Sequence, residues 1–373
     1  MIVGGWVHRL PPLPGELLTS CLARNAAAHG TSPYRFLALF WQGDPVWERD
    51  FDRDPAALLR TCRAPDAMDW LDDLAEHLGA ARGTVEDATL AGWRERLGGD
   101  LSDDAGDTPF ILSAGVFHRT RRRHALQFCP CCLAEGRPHF RKAWRLGFAV
   151  ACEEHRTSLL DACRWCGAAV IPHRSMTPRL TDCHQCGRPV AGRDRGTAKP
   201  VPEAALTLQR QLAAVLHEQG SAAPGPLGAG EAFSTVRTLL AVSAPPRLHG
   251  QLREALGLEQ VTAGREDRRR FEQARHSERT PWLETVATWA ADWPRNFMRG
   301  AEAINASQRA FARCRMGPAL AKQVEALPKR NRKARRPWRP LLHDPELRQL
   351  RRSDKAAYHA LRAERVLQAL RKA

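Results

Sequence analysis

Residues Phe128 to His155 read FCPCCLAEGRPHFRKAWRLGFAVACEEH: three cysteines in four positions, a cationic aromatic run, then Cys-x-x-His. In a reducing cytosol, clustered thiols at this spacing point to metal ligation rather than disulfides. The pattern continues downstream, giving four knuckles in a row: Cys129/Cys132, Cys152/His155, Cys163/Cys166 and Cys183/Cys186. Two intervening residues let both side chains of a knuckle reach one ion. Gaps of nineteen and sixteen residues between paired knuckles leave room for a hairpin to return. Tetrahedral Zn²⁺ takes four N or S ligands, so sequential pairing yields one set of three cysteines with a histidine and one all-cysteine set. Sequential pairing is the simpler arrangement, and an interleaved cross-brace also satisfies the spacing. Either way two structural Zn²⁺ ions are expected, in closed sets with no position for an activated water. Cys131 falls outside the knuckle and is expected as a small buried filler.

Between the first two knuckles, Trp144, Leu146, Phe148 and Val150 alternate as a half-buried strand does. Arg141, Lys142 and Arg145 lie around that apolar face. They either snorkel over the module or contact a phosphate or a protein.

Working outward, Leu18, Cys21, Leu22 and Ala26 recur at helical spacing until Gly30, and Ser32-Pro33 opens a second helix with Phe36, Leu37 and Phe40. The pair is helix-turn-helix-like, a pattern that plain helical cores share. From Asp44 to Asp107 seventeen acidic residues face seven basic ones. That stretch is expected as helices with a solvated acidic face, or a face for a basic partner. After the cysteines, LTLQRQLAAVLHEQG reads as an amphipathic helix followed by a flexible linker. Thr280-Pro281 is expected to open a helix with Trp282, Leu283, Val286, Trp289, Ala290 and Trp293 in one stripe, and Pro294 to start the next. A last helix over 354–372 is expected to turn Tyr358, Leu361, Val366 and Leu370 inward.

The fold class that follows is mainly α and multidomain, with helical, helix-turn-helix-like ends flanking a two-zinc module with short β-hairpins. Its expected divisions are an N-terminal element (1–43), an acidic segment (44–117), the zinc module (118–195), a helix with linker (196–260) and a basic C-terminal domain (261–373).

The 373 residues carry a formal charge of +16, which calls for a polyanionic partner, most often nucleic acid. Arg121, Arg122 and Arg123 precede the first knuckle. Lys329, Arg330, Arg332, Lys333, Arg335 and Arg336 form a run that cannot bury itself and serves as a linker or a phosphate clamp. No apolar run is long enough to span a membrane, and the N-terminal residues lack a secretory pattern. No motif indicates catalysis. Pro130-Cys131-Cys132 breaks the deaminase spacing, His276-Ser277-Glu278 reads as a solvated face, and no Walker A or Gly-x-Ser-x-Gly occurs. A non-enzyme is expected, with a zinc-dependent nuclease, its carboxylates scattered along the chain, as the remote alternative.

LPGELLTSCLAR (Leu13–Arg24) and the stretch from Phe128 to Gly167 resemble the TniQ/TnsD family of bacterial transposition proteins. The first is similar to the family's Pro-x-Glu-x-Leu-x-Ser-Trp-Leu-x-Arg opening, with Cys21 where Trp is usual. The second follows its Cys-Pro-x-Cys-Leu, Phe-Arg-x-x-Trp-Arg, Cys-x-x-His and Cys-x-x-Cys-Gly order. ADWPRNF (Ala291–Phe297) is similar to a segment of longer members. The resemblance implies a cytoplasmic, nucleoid-associated target-selection adaptor. It implies a link between a DNA site, or an RNA-guided CRISPR effector complex, and an AAA+ ATPase that recruits the transposase. Homodimers occur among the CRISPR-associated members. The competing expectation is a protein-interaction module of the RNA-guided complex that does not read DNA.

Overall fold

The N-terminal motif forms a helix and the joint that docks it. Leu18–Ala28 (α1) is buried on nearly all sides, as a helix in a core is, and Gly30 closes it at a φ of +65°. Pro33–Phe40 (α2) follows, with Pro33 in its first position. Glu16 is fully buried just before α1, where its carboxylate accepts from the Leu13 amide (2.9 Å), the Ser20 hydroxyl (2.9 Å) and Arg24 (2.8 Å). The Ser20 oxygen in turn accepts the Phe140 amide at 2.9 Å, and the Leu17 amide donates to the Phe140 carbonyl at 2.9 Å. These contacts couple the chain start to the cysteine-rich segment. In this computed structural model the described residues are 6–40, 50, 52–53, 69–94, 96–98, 108–114, 123–192, 200–217, 226–228, 230–261, 270–329 and 345–372.

The acidic segment is helical where described: Asp69–Leu78 (α3), Arg82–Asp87 (α4) and Ala91–Arg94 (α5). In α3, Leu71, Leu74, Ala75 and Leu78 are buried against Trp6, Leu18, Leu22, Phe36 and Leu37, which form a small core of their own. Two of the segment's carboxylates turn inward instead of facing solvent. Asp52 accepts the Thr19 amide (2.9 Å) and hydroxyl (2.6 Å), capping the first turn of α1 from a distant point in the chain. Asp50 accepts both terminal nitrogens of Arg145, at 2.9 and 2.6 Å.

In the cysteine-rich segment Pro130–Ala134 is a short helix (α6), and Lys142–Arg145 is a 3-10 turn. The expected strand does not form. Trp144, Leu146, Phe148 and Val150 are all buried, and so are Arg145 and Ala149 between them. Side chains share this backbone with isolated main-chain contacts: Gly147 donates to the Phe110 carbonyl at 2.7 Å, and the carbonyls of Arg145 and Val150 accept the amides of Leu112 (2.8 Å) and Leu159 (3.1 Å). Gln127 donates to the carbonyls of Leu146 (3.1 Å) and Ala149 (3.0 Å), and Gln209 accepts the amides of Val150 (2.7 Å) and Ala151 (3.0 Å). Among the described residues the expected hairpins shrink to isolated antiparallel bridges, such as Phe128–Leu160, Ala151–Ser158 and Asp182–Pro189.

The helices after the cysteines pack on that segment. Glu203–Leu216 (α7) carries Gln209, and Ala232–Ser243 (α8) and Pro246–Ala255 (α9) follow. His276–Ala290 (α10) packs along α7 and starts four residues before the expected Thr280. Its start is capped by Glu278, which accepts the Arg275 amide at 2.7 Å, and by Asp161, which accepts the His276 amide at 2.8 Å. Pro281 therefore lies inside the helix. His276 is buried, with Nε2 against the Val150 carbonyl at 2.8 Å, so this stretch is not the solvated face expected of it. Arg295–Ala303 (α11) begins after Pro294 as expected, and Gln308–Phe311 (α12) and Pro318–Glu325 (α13) complete this part. One core runs through all of it, from Leu17 to Leu327. Pro345–Ser353 (α14) and Lys355–Lys372 (α15) pack against each other, and Tyr358 and Leu361 are half-buried rather than in the main core. Val366 and Leu370 lie outside the described side chains. No described helix is long and apolar enough to cross a membrane.

Candidate metal centres

All eight expected ligands gather into two groups, and they do so by sequential pairing: Cys129, Cys132, Cys152 and His155 in one, Cys163, Cys166, Cys183 and Cys186 in the other. Local backbone geometry brings the two ligands of each knuckle together. In all four knuckles the amide four residues after the first ligand donates back to that ligand's carbonyl, from Leu133 to Cys129 at 3.2 Å and, in the last three, from Arg156 to Cys152, Gly167 to Cys163 and Gly187 to Cys183, each at 2.8 Å. In those last three the donating residue takes a positive φ, which is +52°, +71° and +69° respectively. Glycine meets this demand freely, whereas Arg156 adopts it as a side-chain-bearing residue. The remaining knuckle is helical, with Cys129 as N-cap of α6 and Pro130 in the first position.

The donor atoms fit a tetrahedral ion. Metal–sulfur bonds of about 2.3 Å imply tetrahedron edges of about 3.8 Å. In the first group Cys132 and Cys152 sulfurs are 3.5 Å apart, and His155 Nδ1 lies 3.6, 3.2 and 3.6 Å from Cys129, Cys132 and Cys152. In the second, the Cys163 and Cys186 sulfurs are 3.8 Å apart and those of Cys166 and Cys183 are 3.7 Å apart. Sets of this size, one with three thiols and an imidazole and one with four thiols, suit Zn²⁺, and both offer four protein donors.

His155 has a supporting partner that the spacing alone does not reveal. Its Nε2 meets the Glu135 carboxylate at 3.0 Å, which leaves Nδ1 to face the sulfurs. A carboxylate behind a histidine ligand fixes its tautomer and ring orientation. Cys131 is buried in the main core, as expected.

The expected contact residues fare unevenly. Arg145 is a correction: it is 3% exposed and committed to Asp50 and to the Leu112 carbonyl (2.9 Å), so it presents no charge to a partner. Burial raises Asp52 to about 6, with Arg145 opposing the rise. Arg141 is half-buried and bidentate on Glu154 at 2.7 and 2.9 Å, beside the first group. Lys142 lies over the Trp93 ring at 4.5 Å and donates to the Asp87 carbonyl. Arg123 donates to the Ser113 hydroxyl at 2.7 Å. Lys329 is exposed. Arg121, Arg122, Arg330, Arg332, Lys333, Arg335 and Arg336 lie outside the described residues.

The second group carries a cationic tip that is absent from the expected contact residues. Arg164, Trp165, Cys166, Cys186 and Arg188 are exposed there, with Trp165 at 51%. The signal for it is Cys163-Arg-Trp-Cys166, because the two central residues of a knuckle occupy its outer turn.

Residues 7–159 match the family model described as TniQ, a span that holds the N-terminal motif and the whole first metal group. No curated protein matches the chain.

Proposed function

We propose that this chain, which carries a TniQ domain over residues 7–159 and belongs to the TniQ family, is a non-catalytic target-selection factor of a bacterial transposon. The observation that carries the reading is the domain match together with the closed ligand group of Cys129, Cys132, Cys152 and His155 inside it. In this role the two centres hold Zn²⁺ and act as structural staples, with four protein donors each and no ligand position assigned to chemistry. The chain joins a target, either a DNA site or an RNA-guided complex, to an AAA+ ATPase that brings in the transposase, and it works as a homodimer in the RNA-guided case. The strong positive charge supports a nucleic-acid partner on that route.

The test is integration in cells supplied with the AAA+ ATPase and transposase of a candidate transposon that carries this chain. Omitting this chain should abolish insertion at the preferred target, and supplying it on a plasmid should restore it. Insertion at the same target and frequency without it would refute the role.

A further inference from the structure

We propose that the tip of the second metal group, made by Arg164, Trp165 and Arg188, is a nucleic-acid contact that grips the phosphate backbone. The proposal rests on the nucleic-acid part of the function above and deepens it by naming where the charge is used.

The tip is built, not incidental. Trp165 is held in place by its indole N–H, which donates to the Pro189 carbonyl at 3.1 Å across the two knuckles. The guanidinium carbons of Arg164 and Arg188 each lie 5.3 Å from the Trp165 ring centroid. An exposed tryptophan beside two guanidinium groups gains cation–π attraction and restricts both arginines. Restricted guanidinium groups lose less entropy when they meet a phosphate, and their planar donor forks match its oxygens.

Among the described residues neither Arg164 nor Arg188 has a carboxylate ion pair, whereas Arg141, Arg145 and Arg275 pair with Glu154, Asp50 and Asp161. Between Cys163 and Gly192 the sequence holds four arginines against one acidic residue, Asp182. Asp182 is buried and paired with Arg179 at 3.1 Å, so it offsets nothing at the tip. The rigid base is supplied by the knuckles themselves, through the Gly167 and Gly187 turns. A competing role exists for these arginines: four thiolates on one Zn²⁺ leave two net negative charges, which nearby cations would offset.

The experiment uses the full chain with zinc bound, and compares R164Q/R188Q, W165A and W165F with the parent. A labelled duplex and a labelled single strand of equal length are titrated over a salt series, with zinc content measured on every sample. Two lost phosphate contacts should lower the log–log salt slope by about 1.8 for duplex and about 1.4 for single strand. At about 0.1 M salt, R164Q/R188Q should weaken duplex binding roughly tenfold or more. W165F should retain most of the affinity that W165A loses, because the ring's role is to position the arginines. Unchanged slopes with zinc retained would overturn the proposal. Loss of zinc in R164Q/R188Q would overturn it in favour of the charge-offsetting role. Unchanged slopes with lost capture of the ATPase would assign the tip to a protein partner, again overturning it. Because binding is read on naked nucleic acid, failure here is distinct from failure of the integration test.

Discussion

At the scale of single residues, polar side chains supplement the isolated main-chain bridges of the buried segment from Leu146 to Ala151. Arg279 is fully buried and donates to the carbonyls of Gly147 (3.2 Å) and Ala274 and to the Gln127 side chain (2.7 Å). Burial lowers its pKa to about 10, with Asp161 opposing, so it stays charged at neutral pH. His276 behaves differently: burial and Arg279 depress it to about 4, and it is neutral in the folded protein. An unfolded histidine titrates at about 6.5, so the unfolded chain takes up this proton first as pH falls. The stability His276 confers is thus complete above about 6.5 and is lost as pH falls towards 4, at up to about 1.4 kcal/mol per pH unit. Denaturant midpoints between pH 7 and pH 5, with zinc content monitored, should fall less steeply for His276→Gln, which keeps a donor for Val150. Equal slopes in the two proteins would show that His276 is not held neutral.

At the scale of elements, the sequence is legible wherever a demand is local. The positions of α1, α2, α7 and α11 follow from apolar spacing and from proline and glycine, and the knuckles follow from cysteine spacing. The segment from Leu146 to Ala151 departs from expectation because alternation reports which residues are apolar, not what pairs with their backbone. Here both sides of the segment are buried and its side-chain partners include Gln127, Gln209, His276 and Arg279, the last of them 132 positions from the carbonyl it meets. The start of α10 is hidden for the same reason, since Asp161 supplies its cap from the cysteine-rich segment. Arg145 reads as a surface cation in the sequence because its counterion Asp50 sits 95 residues upstream. These long-range polar contacts make α10 and the metal-bearing segment one packing unit. Arg279→Met should therefore cost about 2–4 kcal/mol, since it orphans buried acceptors. Arg210→Met, which removes an exposed pair with Glu203, should cost less than about 0.5 kcal/mol. Comparable losses in urea unfolding for both variants would contradict the buried role of Arg279.

At the scale of the whole molecule, two metal centres differ in setting. The first lies within the TniQ domain and is tied to the main core through Phe128, Phe140 and Trp144. The second shares that core through Cys163 and Cys183 but turns Cys166 and Cys186 to solvent. Each uses only its own four donors, so neither needs the other to close. That independence is the central claim, and native mass spectrometry of the zinc-loaded chain tests it most directly. The parent should carry two Zn²⁺ per chain, and Cys163→Ser/Cys183→Ser should carry one while remaining folded. One ion in the parent, a bound iron centre, or loss of both ions from that variant would contradict two separate closed sites.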